Sequence, residues 1–259
     1  FILKLAKDIS LIKPDIIFHL ATAGIYGGKY LPERNLIETN IIGTLNLINA
    51  SQKIDYRCFI NTGSSSEYGP KNKQMKEDDL CQPNTIYGIT KLTSTLYASF
   101  IASSMNNPIV NLRLFSPYGP YDSPSRLISY TIINALKNRE LRFSNPDNVR
   151  DYIYIEDVVD LYLKVSDKAN SFKGEVFNVG TGKQTKISYV IRKIIQFTNS
   201  KSLVKWNTFP GRVFDAKNWE ADITKTMRCF RWYPRYSVDS GLKKMVGWFK
   251  DNLSFYVNE

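Results

Sequence analysis

Apolar residues along the chain follow two alternating rhythms. Asp15–Ala21 is a short, nearly unbroken apolar run behind Pro14 and ahead of a glycine-containing loop. A run of that length reads as a parallel strand buried on both faces. Cys58–Thr62 and Ile109–Phe115 repeat it, one ending at Gly63 and a serine cluster, the other at Ser-Pro-Tyr-Gly-Pro120. Between them the period lengthens. Ile41, Leu45 and Ile48 share one face of a helix expected over 40–53. A longer helix is expected over 84–104, entered after Pro83 and closed by Asn106, Asn107 and Pro108.

The second half is more mixed. Helices are expected over 127–138, 156–167 and 187–197, with strands over 149–155 and 175–180. The aromatic-rich stretch from Trp206 to Glu259 is expected to cover one end of the sheet. Strands alternating with helices predict right-handed βαβ units, hence an α/β fold with helices on both faces of a parallel sheet. No repeat, low-complexity tract or clean linker divides the chain, so two interwoven lobes are expected rather than two domains in series.

Composition narrows the function. With 259 residues, 43% of them hydrophobic, the chain can bury a core. No stretch approaches the roughly 20 apolar residues of a membrane span, so no membrane partner is expected. The first eight residues are too short and too charged for a secretory signal. The absence of an initiator Met suggests that the chain begins inside a longer protein. Cys58, Cys81 and Cys229 are widely spaced, without a CxxC pair, which argues against disulfides or zinc and fits a reducing cytoplasm. His19 is the only histidine, so a Ser-His-Asp triad or a multi-histidine metal site is disfavoured, and no metal site is expected. The net charge of +11 favours anionic partners such as nucleotides, sugar diphosphates or nucleic acid. A lysine-rich solvated surface explains it equally well, because no Lys/Arg run of the nucleic-acid type is present.

Two constellations carry candidate chemistry. Tyr87-Gly-Ile-Thr-Lys91 places a phenol and an ammonium four residues apart, on one helical face. A nearby ammonium favours phenolate, lowering a pKa that starts near 10 and making Tyr87 a candidate general base. Alone, this spacing occurs by chance in many helices. Gly63-Ser-Ser-Ser-Glu-Tyr-Gly69 follows a strand, where a parallel sheet presents its C-terminal edge to ligands. A serine hydroxyl there can donate to the oxygen that Tyr87 deprotonates. Alone, that segment is an ordinary Ser/Gly turn. The two occur in the order that brings them to one site.

With these residues in place, the chain resembles the extended short-chain dehydrogenase/reductase family, in its nucleotide-sugar epimerase/dehydratase branch. His19-Leu-Ala-Thr22 resembles the family's HLAA, and Asn40-Ile-Ile-Gly-Thr44 its NxxGT. Leu112–Pro120 resembles R-x-F-N-x-Y-G-P, Val149–Asp157 resembles VRDYIHVxD, and Phe177–Gly182 resembles Y-N-x-G-x-G. Arg212, Ala221–Lys225 and Arg231–Pro234 resemble the closing substrate-binding stretch. The resemblance implies a Rossmann-like doubly wound sheet in 1–117, with 150–180 contributing, and a smaller interwoven C-terminal substrate-binding lobe from 118–149 and 181–259. It also implies that the first βα units, with the GxxGxxG phosphate loop, are missing before Phe1, about 60 to 70 residues. On that expectation the isolated chain binds NAD poorly and is inactive.

The resemblance assigns roles as well. Tyr87 is the base for a sugar hydroxyl, Lys91 binds the nicotinamide ribose, and Ser64, with Ser65 as understudy, is the catalytic hydroxyl. Ala21, Asn40, Tyr87, Lys91, Ser116 and Pro117 are the cofactor-binding candidates. Ser64, Glu67, Ser116, Arg150, Arg212 and Asp215 are the substrate-binding candidates, with Arg150 and Arg212 suited to the diphosphate. Surface ion pairs of these arginines with Asp151 or Asp215 are the plainer alternative. The cofactor implied is NAD, with NADP open, and the partner a nucleotide-diphosphate sugar. Dehydratases of the family carry an acid pair where this chain has Ser65 and Ser66, with Glu67 one step later. That favours a 4-epimerase or a 4-keto-reductase over a dehydratase, with the C4 epimerase the leading expectation. A 4-keto-6-deoxysugar reductase of the abequose-synthase kind, a 4,6-dehydratase using Glu67 after a one-residue slip, and an inactive RNA-binding relative are the alternatives. His19 is expected to be structural or cofactor-adjacent, and the tryptophans to pack rather than stack on bases. The family also implies a homodimer through helices 40–53 and 84–104.

Overall fold

The computed structural model describes residues 2–26, 29–209 and 217–256. Helix α1 (Ile2–Ile12) leads into β1 (Ile16–His19), then into a short hairpin of β2 (Ile25–Tyr26) and β3 (Lys29–Tyr30). Helix α2 (Glu33–Leu36), a π-helical stretch Ile37–Gly43 and α3 (Thr44–Ser51) run on without a break. After β4 (Cys58–Ser64) come α4 (Ile86–Ser104), β5 (Ile109–Leu114), β6 (Ser116–Tyr118), α5 (Leu127–Leu136) and β7 (Leu141–Arg142). The chain continues through β8 (Val149–Tyr154), α6 (Ile155–Ser166), β9 (Val176–Val179), β10 (Gln184–Lys186) and α7 (Ile187–Thr198). It finishes with β11 (Val204–Lys205), α8 (Thr224–Phe230) and α9 (Val238–Asn252).

Four strands form a parallel sheet in the order β1-β4-β5-β9. Alternation along each strand sends side chains to opposite faces. Cys58, Ile60, Val110, Leu112 and Phe177 meet Val158, Leu161 and Val165 of α6 on one face. Phe59 and Ile109 meet Ile48 of α3 and Ala98, Ile101 and Ala102 of α4 on the other. The sheet is therefore doubly wound, as expected. On the α4 side the pattern admits two buried amides. Asn61 and Asn111 are register partners, and Asn61 donates to Asn111 Oδ1 at 2.8 Å. Asn111 in turn donates to Ser99 Oγ at 3.0 Å.

Of the 150–180 segment expected in this sheet, only β9 joins it. Strand β8 lies between β6 and β10 in a separate three-stranded sheet. After β5 the chain passes directly into β6, and β8 follows β6. A second core then forms from Tyr118, Tyr152, Tyr154 and the inner faces of α5, α7 and α9. The aromatic tail divides between the two. Trp232 is buried with the main sheet and α6, while Phe249 fills the second core. Helix α1 was not anticipated from the sequence. It buries Ile9 and packs on α3.

At the end of β1, His19 is buried and its Nε2 lies 2.8 Å from Thr44 Oγ1. Thr44 donates its own proton to the Asn40 carbonyl at 2.7 Å. The Nε2 atom must therefore be the donor, which fixes a neutral tautomer. Burial, aided by the Lys91 charge, lowers the His19 pKa to about 4. A histidine held neutral stabilises the fold fully above its unfolded pKa near 6.5, and that contribution is lost as pH falls toward 4. The loss amounts to about 3 kcal/mol. Urea unfolding across this window should show His19→Gln losing less stability than wild type by that order. Equal slopes for the two proteins would mean that His19 titrates normally.

Candidate active site

The end of β4 and the start of α4 build the site. Ser64 closes β4 with extended backbone and N-caps a 3₁₀ turn, Ser65–Glu67, its Oγ accepting from Ser66 N–H at 3.2 Å. Thr85 N-caps α4 by accepting from Gly88 N–H at 3.0 Å, which starts the helix in time to carry Tyr87 and Lys91 on its first turns. Gly88 sets how close the two segments come. A Cβ there would lie 2.4 Å from the Ser66 carbonyl oxygen, so only glycine lets the helix meet the serine turn. This glycine was visible inside the YxxxK spacing, yet the spacing alone gave no reason for it.

The outcome is a cluster of hydroxyls around the Tyr87 phenol. The Ser64 and Thr22 hydroxyls both act on it, favouring its charged form, and Gly24 lies beside the ring, where a Cβ would sit 3.6 Å from it. Thr22 was read only as part of a motif, and its hydroxyl is a site component the sequence reading missed. The expected acidification of Tyr87 by Lys91 is not what the free chain shows. Burial raises the phenol above its ordinary value, opposed by the Ser64 and Thr22 hydroxyls and by the Arg126 charge. Lys91 is itself buried, and burial lowers its pKa against the pull of Glu67. Among the described residues the Lys91 ammonium makes no hydrogen bond or ion pair.

The remaining candidates separate. Ser65 is buried and its Oγ accepts from Trp219 Nε1 at 3.1 Å, which draws it away from Tyr87. Trp219 also lies under Arg150, whose guanidinium carbon is 5.4 Å from the ring centroid. The indole thus joins the serine turn to Arg150. Arg150 does not pair with Asp151. That carboxylate is fully buried and accepts from Thr181 N–H, Thr181 Oγ1, Gly182 N–H and Ala221 N–H at 2.6–3.1 Å. Ser116 and Pro117 are half-buried at the start of β6, and the Pro117 carbonyl accepts from Arg126 at 3.3 Å. Ala21 is exposed beside Thr22. Arg212 and Asp215 lie outside the described residues.

Two candidates turn inward. Glu67, expected at the substrate, is fully buried beneath the turn. Its Oε1 accepts from Ser64 N–H and its Oε2 from Arg113 Nε, both at 2.7 Å. With both oxygens occupied under the strand end, the Glu67 carboxylate is turned away from the strand-end cleft. Asn40 is also fully buried. Its amide donates to the Ala23 carbonyl at 2.9 Å and to Thr90 Oγ1 at 3.0 Å. Its Oδ1 accepts from Ala23 N–H at 2.7 Å. Among the described residues no cluster of His, Cys, Asp or Glu could hold a metal ion. No helix in that set is long and apolar enough to cross a membrane.

A model of the NAD dependent epimerase/dehydratase family matches residues 4–180. An uncharacterised protein of Methanocaldococcus jannaschii is 32% identical over 242 residues, covering 92% of this chain and 73% of that protein. The UDP-glucuronic acid 4-epimerase of Bacillus cereus, solved with UDP-glucuronic acid and NAD, is similar with a TM-score of 0.88 and 27% identity, over 97% of this chain and 80% of that one. The UDP-glucose 4-epimerase of Thermotoga maritima, solved with UDP-glucose, has a TM-score of 0.89 and 28% identity, over 97% and 82%. The chain belongs to the NAD-dependent epimerase/dehydratase family.

Proposed function

We propose that this protein is a nucleotide-sugar 4-epimerase that uses Tyr87 as its general base. The observation that carries the reading is the Tyr87 phenol beside the Ser64 hydroxyl, one helical turn from Lys91, a buried lysine whose ammonium makes no hydrogen bond or ion pair among the described residues. A buried ammonium without an acceptor is costly, and it suits a ligand rich in hydroxyls. NAD fits that description, and when bound it supplies a hydride acceptor and a positive ring. Lys91 would hold its ribose hydroxyls, with Ala21 beside them and Asn40 bracing the backbone at Ala23. Ser116 and Pro117 line the same edge.

Tyr87 would take the proton of the sugar C4 hydroxyl, and Ser64 would donate to the same oxygen. A cationic ligand near the phenol counters the effect of burial and moves Tyr87 toward phenolate, which Lys91 alone does not achieve. Arg150 and Arg212 would receive the diphosphate end of the substrate. The turn between Ser64 and Gly69 offers hydroxyls and no free carboxylate, which supports epimerisation over dehydration. The two solved relatives, both 4-epimerases of UDP-sugars by description, support a UDP-sugar substrate.

The full-length protein incubated with NAD and a panel of UDP-sugars should give the C4 epimer by NMR. Tyr87→Phe should abolish conversion. Ser64→Ala should slow it by roughly a hundredfold, within the range for a lost group of this kind. Turnover that appears only with a 4-keto sugar and consumes NADPH would replace this reading with that of a reductase.

The proposal extends to a homodimer. Ile89, Leu96 and Phe100 are exposed at helical spacing along α4, and Ile37 and Ile42 are exposed on the segment beside it. Tyr97 bonds Asn49 at 2.6 Å, tying the two helices into one face. An exposed apolar helix face of this kind suits an association site. Replacing Leu96 and Phe100 together by Glu should convert the protein to a monomer in analytical ultracentrifugation, with its circular dichroism retained. A wild-type protein that sediments as a monomer at micromolar concentration would rule the dimer out.

A further inference from the structure

Beneath the serine turn lies an ion pair that nothing in the proposed reaction uses. Arg113 and Glu67 are both buried, joined by a 2.7 Å bond from Arg113 Nε to Glu67 Oε2. Arg113 sits opposite Gly63 in the parallel register of β4 and β5. A Cβ on Gly63 would lie 2.5 Å from Glu67 Oε1 and 3.3 Å from Arg113 Cγ. Glycine at this position is what lets the carboxylate fold back under the strand end. Five further contacts hold the guanidinium and its surroundings. Arg113 lies over the Tyr68 ring, 4.6 Å from its centroid, and donates to the Glu77 carbonyl at 3.4 Å. Tyr68 donates to Asn178 at 2.7 Å, and Asn178 donates to the Met75 and Asp222 carbonyls at 2.8 and 3.0 Å.

A buried ion pair is a weak source of stability, because desolvation offsets most of its attraction. Its effect here is directional. The second carboxylate oxygen accepts from Ser64 N–H at 2.7 Å. That bond fixes the last peptide of the strand, and with it the direction of the Ser64 side chain. We infer that Arg113 and Glu67 are a positioning pair, holding Ser64 so that its hydroxyl meets the Tyr87 phenol. Both members are buried beneath the turn, so the pair acts through Ser64. The inference rests on the proposed function only in giving Ser64 a partner in Tyr87.

Titration of Tyr87 tests it without any sugar nucleotide, so failure of the epimerase reading would leave the test intact. The protein is labelled with 3-fluorotyrosine, whose phenol titrates below that of tyrosine, and the Tyr87 ¹⁹F resonance is assigned by its loss in Tyr87→Phe. Ser64 donates to the phenolate, so Ser64→Ala should raise the Tyr87 midpoint by about one to two pH units. The double variant Glu67→Gln with Arg113→Met removes both charges together, the change buried pairs tolerate best. It should raise the midpoint by a comparable amount, and adding Ser64→Ala to it should add less than half of the single effect. Arg113→Lys, which keeps the charge but not the Nε contact, should give an intermediate shift and serves if the double variant does not fold. A folded double variant or Arg113→Lys protein that titrates at the wild-type midpoint would overturn the inference. So would a full, additive effect of Ser64→Ala in the double variant.

Discussion

One buried amide holds the surroundings of the phenol together. Asn40 reaches from the π-helical stretch to the backbone of Ala23 on one side and to Thr90 of α4 on the other. Its carbonyl accepts the hydroxyls of Thr44 and Ser94. Three segments distant in sequence are thereby fixed to each other: the loop after β1, the helix before β4, and the helix that carries Tyr87 and Lys91. Each of those bonds is buried, where a partner left unmade costs about 1–3 kcal/mol. The position of Thr22 against Tyr87 is a consequence, because Thr22 and Ala23 are adjacent and Ala23 is held at both its N–H and its carbonyl. A π-helical turn at such a residue fits the tendency of these turns to occur at functional sites.

The same packing leaves two groups at the site in unfavourable electrostatic states. Burial raises the Tyr87 phenol and lowers the Lys91 ammonium, so the free protein disfavours the charged form of each. An extended network elsewhere in the fold shows that this is not a general failure of pairing. Asp151 and Asp157 are as deeply buried, yet Asp151 accepts from three backbone N–H groups and a hydroxyl, and Asp157 accepts from the N–H groups of Arg235 and Tyr236. Satisfied carboxylates anchor the crossing between the two cores. Tyr87 and Lys91 sit where α4 meets the sheet edge, which is where a ligand with complementary hydroxyls and charge has most to offer.

Much of this was legible in the sequence, for identifiable reasons. The apolar runs of β1, β4 and β5 stand out because strands buried on both faces need them, and the helices between follow from the 3.6 period. The meeting of Ser64 and Tyr87 follows from order and spacing along a parallel sheet. What escaped the sequence depends on partners far along the chain. Glu67 and Arg113 are 46 residues apart, and nothing local tells a carboxylate in a 3₁₀ turn to point inward. The same holds for Trp219 on Ser65, 154 residues away. Strand β8 has the composition of a buried strand in either sheet, so its pairing with β6 and β10 could not be read from its pattern. Asp151 beside Arg150 looked like half of an ion pair until its four donors were seen.

The direction of Glu67 also bears on what chemistry the turn can perform. A carboxylate that faced the cleft would give the site an acid beside the phenol, and elimination of water needs one. In this turn the capping geometry decides the matter. Ser64 is the N-cap and Glu67 the third residue of the turn, so the glutamate reaches back to the N-cap backbone, a reciprocal arrangement that satisfies donors at the turn's start. Arg113 then neutralises it from below. A residue one position earlier in the turn would not complete that box and would be free to face outward, as the half-exposed Ser66 does. On the proposed reading, the reaction available to this site is set by a one-residue difference in where the acid falls within the turn, and by an arginine on the neighbouring strand that holds it there.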